Sequence, residues 1–463
     1  MDGSSERSAE REDSEEGPSE EEVLGLQLPV PRRKPHGYLS KGTTYRHTVD
    51  LCFCLIHEAI AKSQWEKAAE LMLSYLQTLE DGTTERQRCA PEIIWRLGSE
   101  ILLNHPRSTV EDVGLFYERI KNVGIRSYLK ISLEHVFFLL CNGSKDEALL
   151  AATTAESWKY GRASLSQENT IKLIQAYRGI LDYRSWLEKK AAITQGDMSY
   201  ATQLNAVKEM CIFQQQAKAA FQGILKFPGV WDPFVLCYID LLESSEEKEE
   251  VEQILRDYAY DPKFPANPNA FVYLYEFLKR NEASNEALIN VLMDLHTRVP
   301  SHKLMLEFCD LLKQSESEEH HQLALKVLFD LLDFSGWGYS MEAWRQIGKR
   351  LKTSLKRNQD LWIEDQWKSR RSWWPLYHFT EFHAKKEWKE IPKLAMKKAL
   401  AAGILLGPGC AYYKAVCRLG RKTKMKKVRA MKTFLKNHSC SLVERRTQRQ
   451  IVFFTCRKTT AAS

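Results

Sequence analysis

A repeat of paired helices constrains the fold of this chain more than any other feature. Between residues 228 and 333, apolar residues recur at the three- and four-residue spacing of one helix face in six successive segments. The six stripes are Phe234/Cys237/Tyr238/Leu241, Val251/Ile254/Leu255/Tyr258, Phe271/Leu274/Tyr275/Leu278, Leu288/Val291/Leu292/Leu295, Leu304/Phe308/Leu311/Leu312 and Leu325/Leu328/Phe329/Leu332. Val251, Leu288 and Leu325, which begin the second helix of each pair, stand 37 residues apart each time.

These pairs predict a helical solenoid. A pair of amphipathic helices cannot bury its apolar face alone, so recurring pairs stack on their neighbours. Pro233, Pro268 and Pro300 each precede a stripe, and proline suits a helix start because its φ is fixed and its missing N–H is not needed there. The period is close to that of tetratricopeptide-like repeats, although their Trp/Gly/Tyr signature is absent. We predict an all-α, tetratricopeptide-like helical-repeat solenoid, an architecture that usually serves as a protein-binding scaffold.

Composition divides the chain into four regions. Residues 1–44 are Ser/Glu-rich and then Pro/Arg-rich, with too few apolar residues to offset chain entropy, which predicts a disordered acidic tail. Residues 45–335 carry the helical stripes and are assigned to the solenoid. Residues 336–413 form a Trp-rich helical region, since seven of the twelve tryptophans fall between residues 337 and 388. Residues 414–463 form a basic tail.

Individual helices are predicted outside the central repeats as well. Helical periodicity and helix-breaking residues place them at Tyr45 to Ala61, Met341 to Leu355, Asp360 to Lys368 and Lys393 to Leu406. The stretch from Thr194 to Gln216 has a weaker helical pattern. The repeats are therefore expected to begin well before the central segment.

Charge and hydropathy point to an intracellular protein. The net charge of +7 hides an asymmetry, because residues 1–22 carry −8 and residues 414–463 carry +14. The apolar runs are far shorter than the roughly 20 residues that span a bilayer, and the acidic N-terminus does not resemble a signal peptide. Most cysteines lie in helical stripes, where reduced thiols pack as small hydrophobes. We expect the protein in the cytosol or nucleus.

No catalytic or metal-binding motif stands out. The sequence lacks a phosphate-binding Gly-rich loop, a nucleophile elbow, a His-Glu-x-x-His motif and a kinase signature. Cys52 and Cys54, with His57 following, have no second pair that would complete a zinc site. His320 and His321 are interpreted as part of a solvated polar loop in preference to a ligand set. We predict no enzymatic activity, no catalytic residues, no metal and no cofactor.

The basic tail is the main candidate functional segment. Its densest part contains Arg421, Lys422, Lys424, Lys426, Lys427, Arg429 and Lys432. Such a cluster would neutralise nucleic-acid phosphates or act as a nuclear import signal, giving affinity and orientation but no base specificity. The alternative is a solvated helix end with excess lysine. We favour the nuclear or nucleic-acid role because fifteen bases against one acid exceed ordinary surface mixing.

An aromatic cluster is the second candidate. Trp373, Trp374, Tyr377 and Phe379 surround Pro375. These side chains would stack on bases, form a hot spot for a protein partner, or build the core of the last helices. The core interpretation is the favoured one, and the partner hot spot is kept as a hypothesis.

Five sequence stretches resemble one known family. They are Ala90-Pro-Glu-Ile-Ile-Trp-Arg-Leu-Gly-Ser-Glu-Ile-Leu, Gly229-Val-Trp-Asp-Pro-Phe-Val, Tyr258-Ala-Tyr-Asp-Pro-Lys-Phe-Pro-Ala-Asn-Pro-Asn-Ala, Val299-Pro-Ser-His-Lys-Leu-Met-Leu-Glu-Phe and Trp373-Trp-Pro-Leu-Tyr-His-Phe. They resemble the TATA-box-binding-protein-associated factor that forms the A subunit in the RNA polymerase I set, over about residues 45–436. The acidic tail and the end after Asn437 depart from the family pattern.

The resemblance implies a non-enzymatic subunit of the RNA polymerase I promoter selectivity factor. Its implied partners are the TATA-box-binding protein, the other associated-factor subunits, upstream binding factor, RNA polymerase I and the ribosomal DNA promoter. Its implied locations are the nucleus and nucleolus. The family brings no cofactor and no catalytic residue. The alternative from residues alone is a stand-alone nuclear nucleic-acid-binding helical-repeat adaptor in RNA processing or ribosome biogenesis.

Overall fold

The structure, a computed structural model, describes residues 44–80, 84–123, 127–159, 164–195, 200–315, 317–422 and 426–438. The predicted disorder of the acidic tail falls on residues 1–43, outside this part of the chain. So does the basic segment 439–463. All regular secondary structure in the described residues is helical, which confirms the all-α prediction.

The helices follow one another with short connections. The first unit contains α1 Thr44–Ala61, α2 Trp65–Glu80, α3 Thr84–Asn104, α4 Val110–Val123 and α5 Tyr128–Cys141. The second contains α6 Lys145–Ser157, α7 Leu165–Gln195, α8 Tyr200–Ile224, α9 Asp232–Glu243, α10 Lys248–Tyr260, α11 Pro268–Arg280, α12 Asn285–Arg298, α13 Met305–Gln314, α14 Glu318–Leu332, α15 Met341–Lys356, α16 Asp360–Lys368, α17 Trp374–His378, α18 Glu381–Glu390, α19 Pro392–Leu405, α20 Ala411–Lys422 and α21 Lys426–His438. The compact units are residues 1–143 and 144–463.

In the first unit each helix packs on the next one in sequence. Ile56, Ala68 and Ile101 are buried in the core of α1 to α3. The sequence reasoning missed α4, which starts with a reciprocal cap: the Asp112 carboxylate accepts from the Thr109 backbone N–H at 2.9 Å, and the Thr109 hydroxyl accepts from the Asp112 N–H at 3.2 Å.

In the second unit, sequential packing of α8 to α15 forms the helical repeat. The anchors Val251, Leu288 and Leu325 are all buried, so the 37-residue period is confirmed. Polar contacts recur at the same separation of 37 residues. They join Asp232 to Asn269, Glu243 to Arg280 and Asp333 to Arg370. Equivalent positions of neighbouring pairs are therefore linked by both apolar and polar contacts.

Two of the three prolines begin helices as predicted. Pro233 and Pro268 lie in the first turns of α9 and α11, and the Asn267 side chain caps α11 by accepting from the Asn269 N–H at 3.1 Å. The prediction for Pro300 is wrong, because α13 begins five residues later at Met305. Pro300 follows the end of α12 instead, where proline cannot continue a helix.

Packing order changes after α14. Helix α15 packs on α19, α18 packs on α19 and α20, and α21 packs on α19 and α20. Trp344, Trp367 and Trp374 are buried where these helices meet. The domain boundaries placed at residues 335 and 413 stay predictions.

Candidate functional site: two surfaces near the C-terminus

The basic segment is folded as helix through residue 438. Helix α21 buries Val428, Met431 and Leu435 at helical spacing. Glycines permit its close approach, since a Cβ at Gly403 would lie 2.5 Å from Leu435 Cδ1 and one at Gly420 would lie 2.6 Å from Val428 Cγ2. The basic helix is therefore anchored on α19 and α20 by its apolar face.

Three basic residues share one stripe of α21. Arg429 and Lys436 are exposed and Lys432 is half-buried, and their spacing of three and four residues places them on one side of the helix. We call Arg429, Lys432 and Lys436 the basic stripe. Arg421 is exposed at the end of α20. The other predicted cations lie where side chains fall outside the described residues; they are Lys422, Lys424, Lys426 and Lys427.

The structure separates the four aromatic residues into two groups. Trp374 and Phe379 are 0% and 4% exposed, so they are core residues and are not accessible to a partner. Trp373 and Tyr377 are each 37% exposed, with ring centroids 5.4 Å apart. The predicted hot spot must therefore be corrected for two members. Proline-started α17 turns adjacent tryptophans in different directions.

Trp374 is held by a polar cluster. Its indole Nε1 donates to Asp333 Oδ1 at 2.7 Å, and the Arg370 guanidinium donates to both oxygens of the same carboxylate. The Phe329 ring lies 5.2 Å from the Trp374 ring. These contacts join α14, α16 and α17, so Trp374 fixes the position of the helix that presents Trp373.

An apolar surface remains on the other side of α17. Leu376 is 76% exposed beside Trp373 and Tyr377, and we call these three residues the α17 face. Phe382 is exposed shortly afterwards, in the first turn of α18. Aromatic side chains of partial exposure beside aliphatic ones are typical of protein-binding surfaces.

The titratable groups buried in this region are inaccessible to a substrate. Lys398 Nζ lies 2.5 Å from Glu387 Oε1, and the Tyr412 hydroxyl donates to Glu387 Oε2 at 2.5 Å. All three side chains are buried between α18, α19 and α20. Burial raises the pKa of Tyr412, and the Glu387 carboxylate raises it further. This arrangement is a structural ion pair with a hydrogen bond.

The histidine pair does not lie in a loop. His320 and His321 are in the first turn of α14, so the predicted polar loop is wrong. Glu318 and Glu319 begin this helix, where acidic residues are favoured by the helix dipole. No group of three or more metal-ligating side chains occurs among the residues described, and the cysteines described there are free thiols. Over the same residues, no helix is long and apolar enough to cross a bilayer.

A row of cations on α15 was missed by the sequence reasoning. Arg345, Lys349, Lys352 and Lys356 recur at spacings of four, three and four residues. Such a stripe is visible in the sequence once the helix is assigned, because these residues fall on one face. Its opposite face buries Trp344, Ile347 and Leu351.

Comparisons with known proteins agree with the resemblance seen in the sequence. A family profile, described as the A subunit of the TAF RNA Polymerase I group, matches residues 58–418. A mouse protein is 46% identical over 404 residues, covering 86% of this chain and 88% of the mouse protein. It is named as the A subunit among the TATA box-binding protein-associated factors of RNA polymerase I. The human protein of the same name is 44% identical over 395 residues, covering 85% of this chain and 88% of its own.

A solved structure described as "Structure of Naa15/Naa10 bound to HypK-THB" is also matched, at 11% identity and a TM-score of 0.20. The match covers 85% of this chain and 64% of the solved one, and its score is too low to compare the folds in detail. The sequence relatives are far more informative, since both align with most of their length at well over 30% identity. The chain therefore belongs to the family of A subunits of the TAF RNA polymerase I transcription factors.

Proposed function

We propose that this chain is a non-enzymatic scaffold subunit of the RNA polymerase I promoter selectivity factor. In this role it holds the TATA-box-binding protein and other associated factors at the ribosomal RNA gene promoter and helps to recruit polymerase I in the nucleolus. Family membership is the observation that carries the proposal. Stacked helix pairs support it, because they present extended surfaces for other macromolecules.

The α17 face is the proposed contact with a protein partner. Trp373, Leu376 and Tyr377 expose apolar area next to a rigid core, where Trp374 is fixed by Asp333. A partner that covers these side chains removes their apolar surface from water without reordering the helix. The basic stripe on α21 supplies a separate polar surface.

Co-purification of the tagged full-length chain from nuclear extract tests this assignment. We expect Trp373→Ala with Tyr377→Ala to weaken association with the other factor subunits by about 2 kcal/mol, roughly thirtyfold, as loss of a hot spot does. The helix content should not change, because both side chains are partly exposed. Leu150→Ala with Leu165→Ala removes exposed apolar side chains elsewhere in the same unit and should leave association unchanged. Equal loss in both double variants would contradict a specific contact.

The stand-alone nucleic-acid adaptor is the second candidate, and the basic stripe favours it. Deleting residues 414–463 does not test it cleanly, because Val428, Met431 and Leu435 belong to the core. The triple variant Arg429→Gln, Lys432→Gln and Lys436→Gln removes charge alone. Loss of DNA association with an intact complex assigns the stripe to DNA, whereas loss of complex assembly assigns it to a protein partner.

A further inference from the structure

A strongly basic groove lies between α13, the start of α14 and the outer face of α15. Its cavity volume is about 920 Å³, and seven of its fifteen lining residues are Lys or Arg against one acid, Asp310. Lys313 comes from α13, and the outer row of α15 contributes Lys349, Lys352 and Lys356. Arg350 and Arg357 form an inner row on α15 or just beyond its end. We call this cleft the basic groove.

Internal ion pairs do not neutralise these charges. Arg345 pairs with Glu342, and the Arg350 guanidinium donates to the Cys309 carbonyl at 2.9 Å. For Lys349, Lys356 and Arg357, no ion pair is found within the described part of the chain. Burial lowers the pKa of Arg350, and the neighbouring Arg357 lowers it further. Like charges held this close repel one another, so a bound anion would relieve the repulsion.

The lining narrows the class of anion. Every lining residue is polar or charged, whereas peptide partners are usually anchored by aromatic or aliphatic side chains in apolar pockets. Small-molecule sites are likewise mostly apolar and enclosed. Single-stranded nucleic acid is bound with aromatic stacking platforms, which this lining does not contain. A duplex backbone needs only correctly placed positive charge.

The dimensions fit such a backbone. Arg345 to Lys356 spans eleven residues of α15, which is about 16 Å at 1.5 Å per residue. That length corresponds to about five phosphates of one strand at 3.4 Å along the duplex axis. We propose that the basic groove binds the phosphodiester backbone of duplex DNA without reading its base sequence. The inference rests on the proposed promoter function and adds to it a second, separate nucleic-acid surface.

The groove and the basic stripe occupy different sides of α21. Lys352 Nζ lies 5.0 Å from the centre of the Phe434 ring, so Phe434 marks the side of α21 that faces α15. At 100° per residue, Arg429, Lys432 and Lys436 lie on the opposite flank. The contributions of the two surfaces can therefore be measured independently.

The test is titration of a labelled duplex of arbitrary sequence with the full-length chain at several salt concentrations. The groove variant combines Lys349→Gln, Lys356→Gln and Arg357→Gln, all at exposed positions. We expect affinity at low salt to fall about tenfold or more, and the slope of log K against log salt to shrink by about 2 to 3, the effect of three lost phosphate contacts. The loss should be the same for duplexes of different sequence.

The matched control combines Lys226→Gln, Lys248→Gln and Lys263→Gln, which changes the net charge equally at exposed positions outside the groove. This control should change DNA affinity and salt slope little, and the melting temperature of both triple variants should match the parent. Equal DNA affinity of the groove and control variants would overturn the proposal. So would loss of co-purifying proteins with DNA affinity intact, which would mean that the groove receives an acidic protein. Failure of the promoter-factor assignment is distinguished by absence of the other subunits from purified parent protein.

Discussion

At the scale of single residues, buried charges fix how the last helices meet. Lys398 is only 2% exposed, and its ammonium group faces Glu387 and lies 5.2 Å from the centre of the Trp344 ring. Burial lowers the pKa of Lys398, while the Glu387 carboxylate opposes that shift. A buried pair of this kind adds little net stability but strongly penalises arrangements that separate its members. It therefore specifies how α15, α18 and α19 pack.

His378 makes the stability of this region dependent on pH. Its Nε2 donates to the Leu332 carbonyl at 2.9 Å, and burial lowers its pKa to about 3, with nearby Lys398 adding to the effect. The unfolded chain takes up a proton near pH 6.5, whereas the folded chain does so only near pH 3. Stability is therefore full above pH 6.5 and falls as the pH drops from there toward 3.

We predict that lowering the pH from about 7.5 to about 5.5 costs about 1.4 kcal/mol through His378 alone, measured by urea unfolding followed by circular dichroism. His378→Gln keeps a donor near the Leu332 carbonyl and removes the titration, so its pH dependence should be weaker by this amount. His135, whose pKa burial lowers to about 4, leaves a residual dependence in the first unit. An identical pH dependence in parent and variant would contradict the prediction.

At the scale of helices, periodicity predicted the buried faces well. The predicted helix from Asp360 to Lys368 has the observed bounds, and the stripes of the central repeats are buried. Helix α4 was missed because its cap uses Thr109 and Asp112 outside the repeat pattern. The Pro300 error has a physical reason, since proline is compatible with the residue after a helix as well as with its start.

The candidate surfaces were less predictable. Trp373 and Trp374 are adjacent in sequence, so composition cannot tell which of them is covered by α14. That depends on Asp333, which is far away in the chain and accepts from the Trp374 indole. The α15 cations form a groove only because α13 and α14 pack beside them. Sequence gives the charge of such a surface, whereas tertiary packing gives its shape.

The helical repeat supports a stability prediction with a neighbouring control. Leu292 on α12 is completely buried, and positions 255 and 329, each 37 residues away, are also buried. We expect Leu292→Ala to destabilise the chain by about 2 to 5 kcal/mol through lost burial and a residual cavity. Met293→Ala, at a position 40% exposed, should cost at most about 1 kcal/mol. Urea midpoints of the two variants compare these costs, and similar values would contradict the packing of the repeat.

At the scale of the molecule, residues 144–463 contain one continuous core. The cluster of buried side chains runs from Ala176 on α7 to Leu435 on α21 without an interruption between the repeats and the last helices. In a repeat protein, stability passes from each unit to its neighbour through their shared interface. The basic helix at the end is therefore coupled energetically to the central repeats through a chain of packed helices.

This continuity predicts that residues 144–463 fold without the first unit. A fragment with these bounds should be monomeric, strongly helical and unfold in one cooperative step in urea, because the buried cluster of this unit is retained. A fragment of residues 200–463 is the control. It lacks α7, whose Gly179 allows α8 to approach so closely that an added Cβ would lie 2.7 Å from that of Ala220. Removing α7 exposes Phe221 and Ala217, so this shorter fragment should aggregate or lose cooperativity. Broad, non-cooperative unfolding of the longer fragment, with cooperative unfolding of the full chain, would show that the core depends on residues before 144.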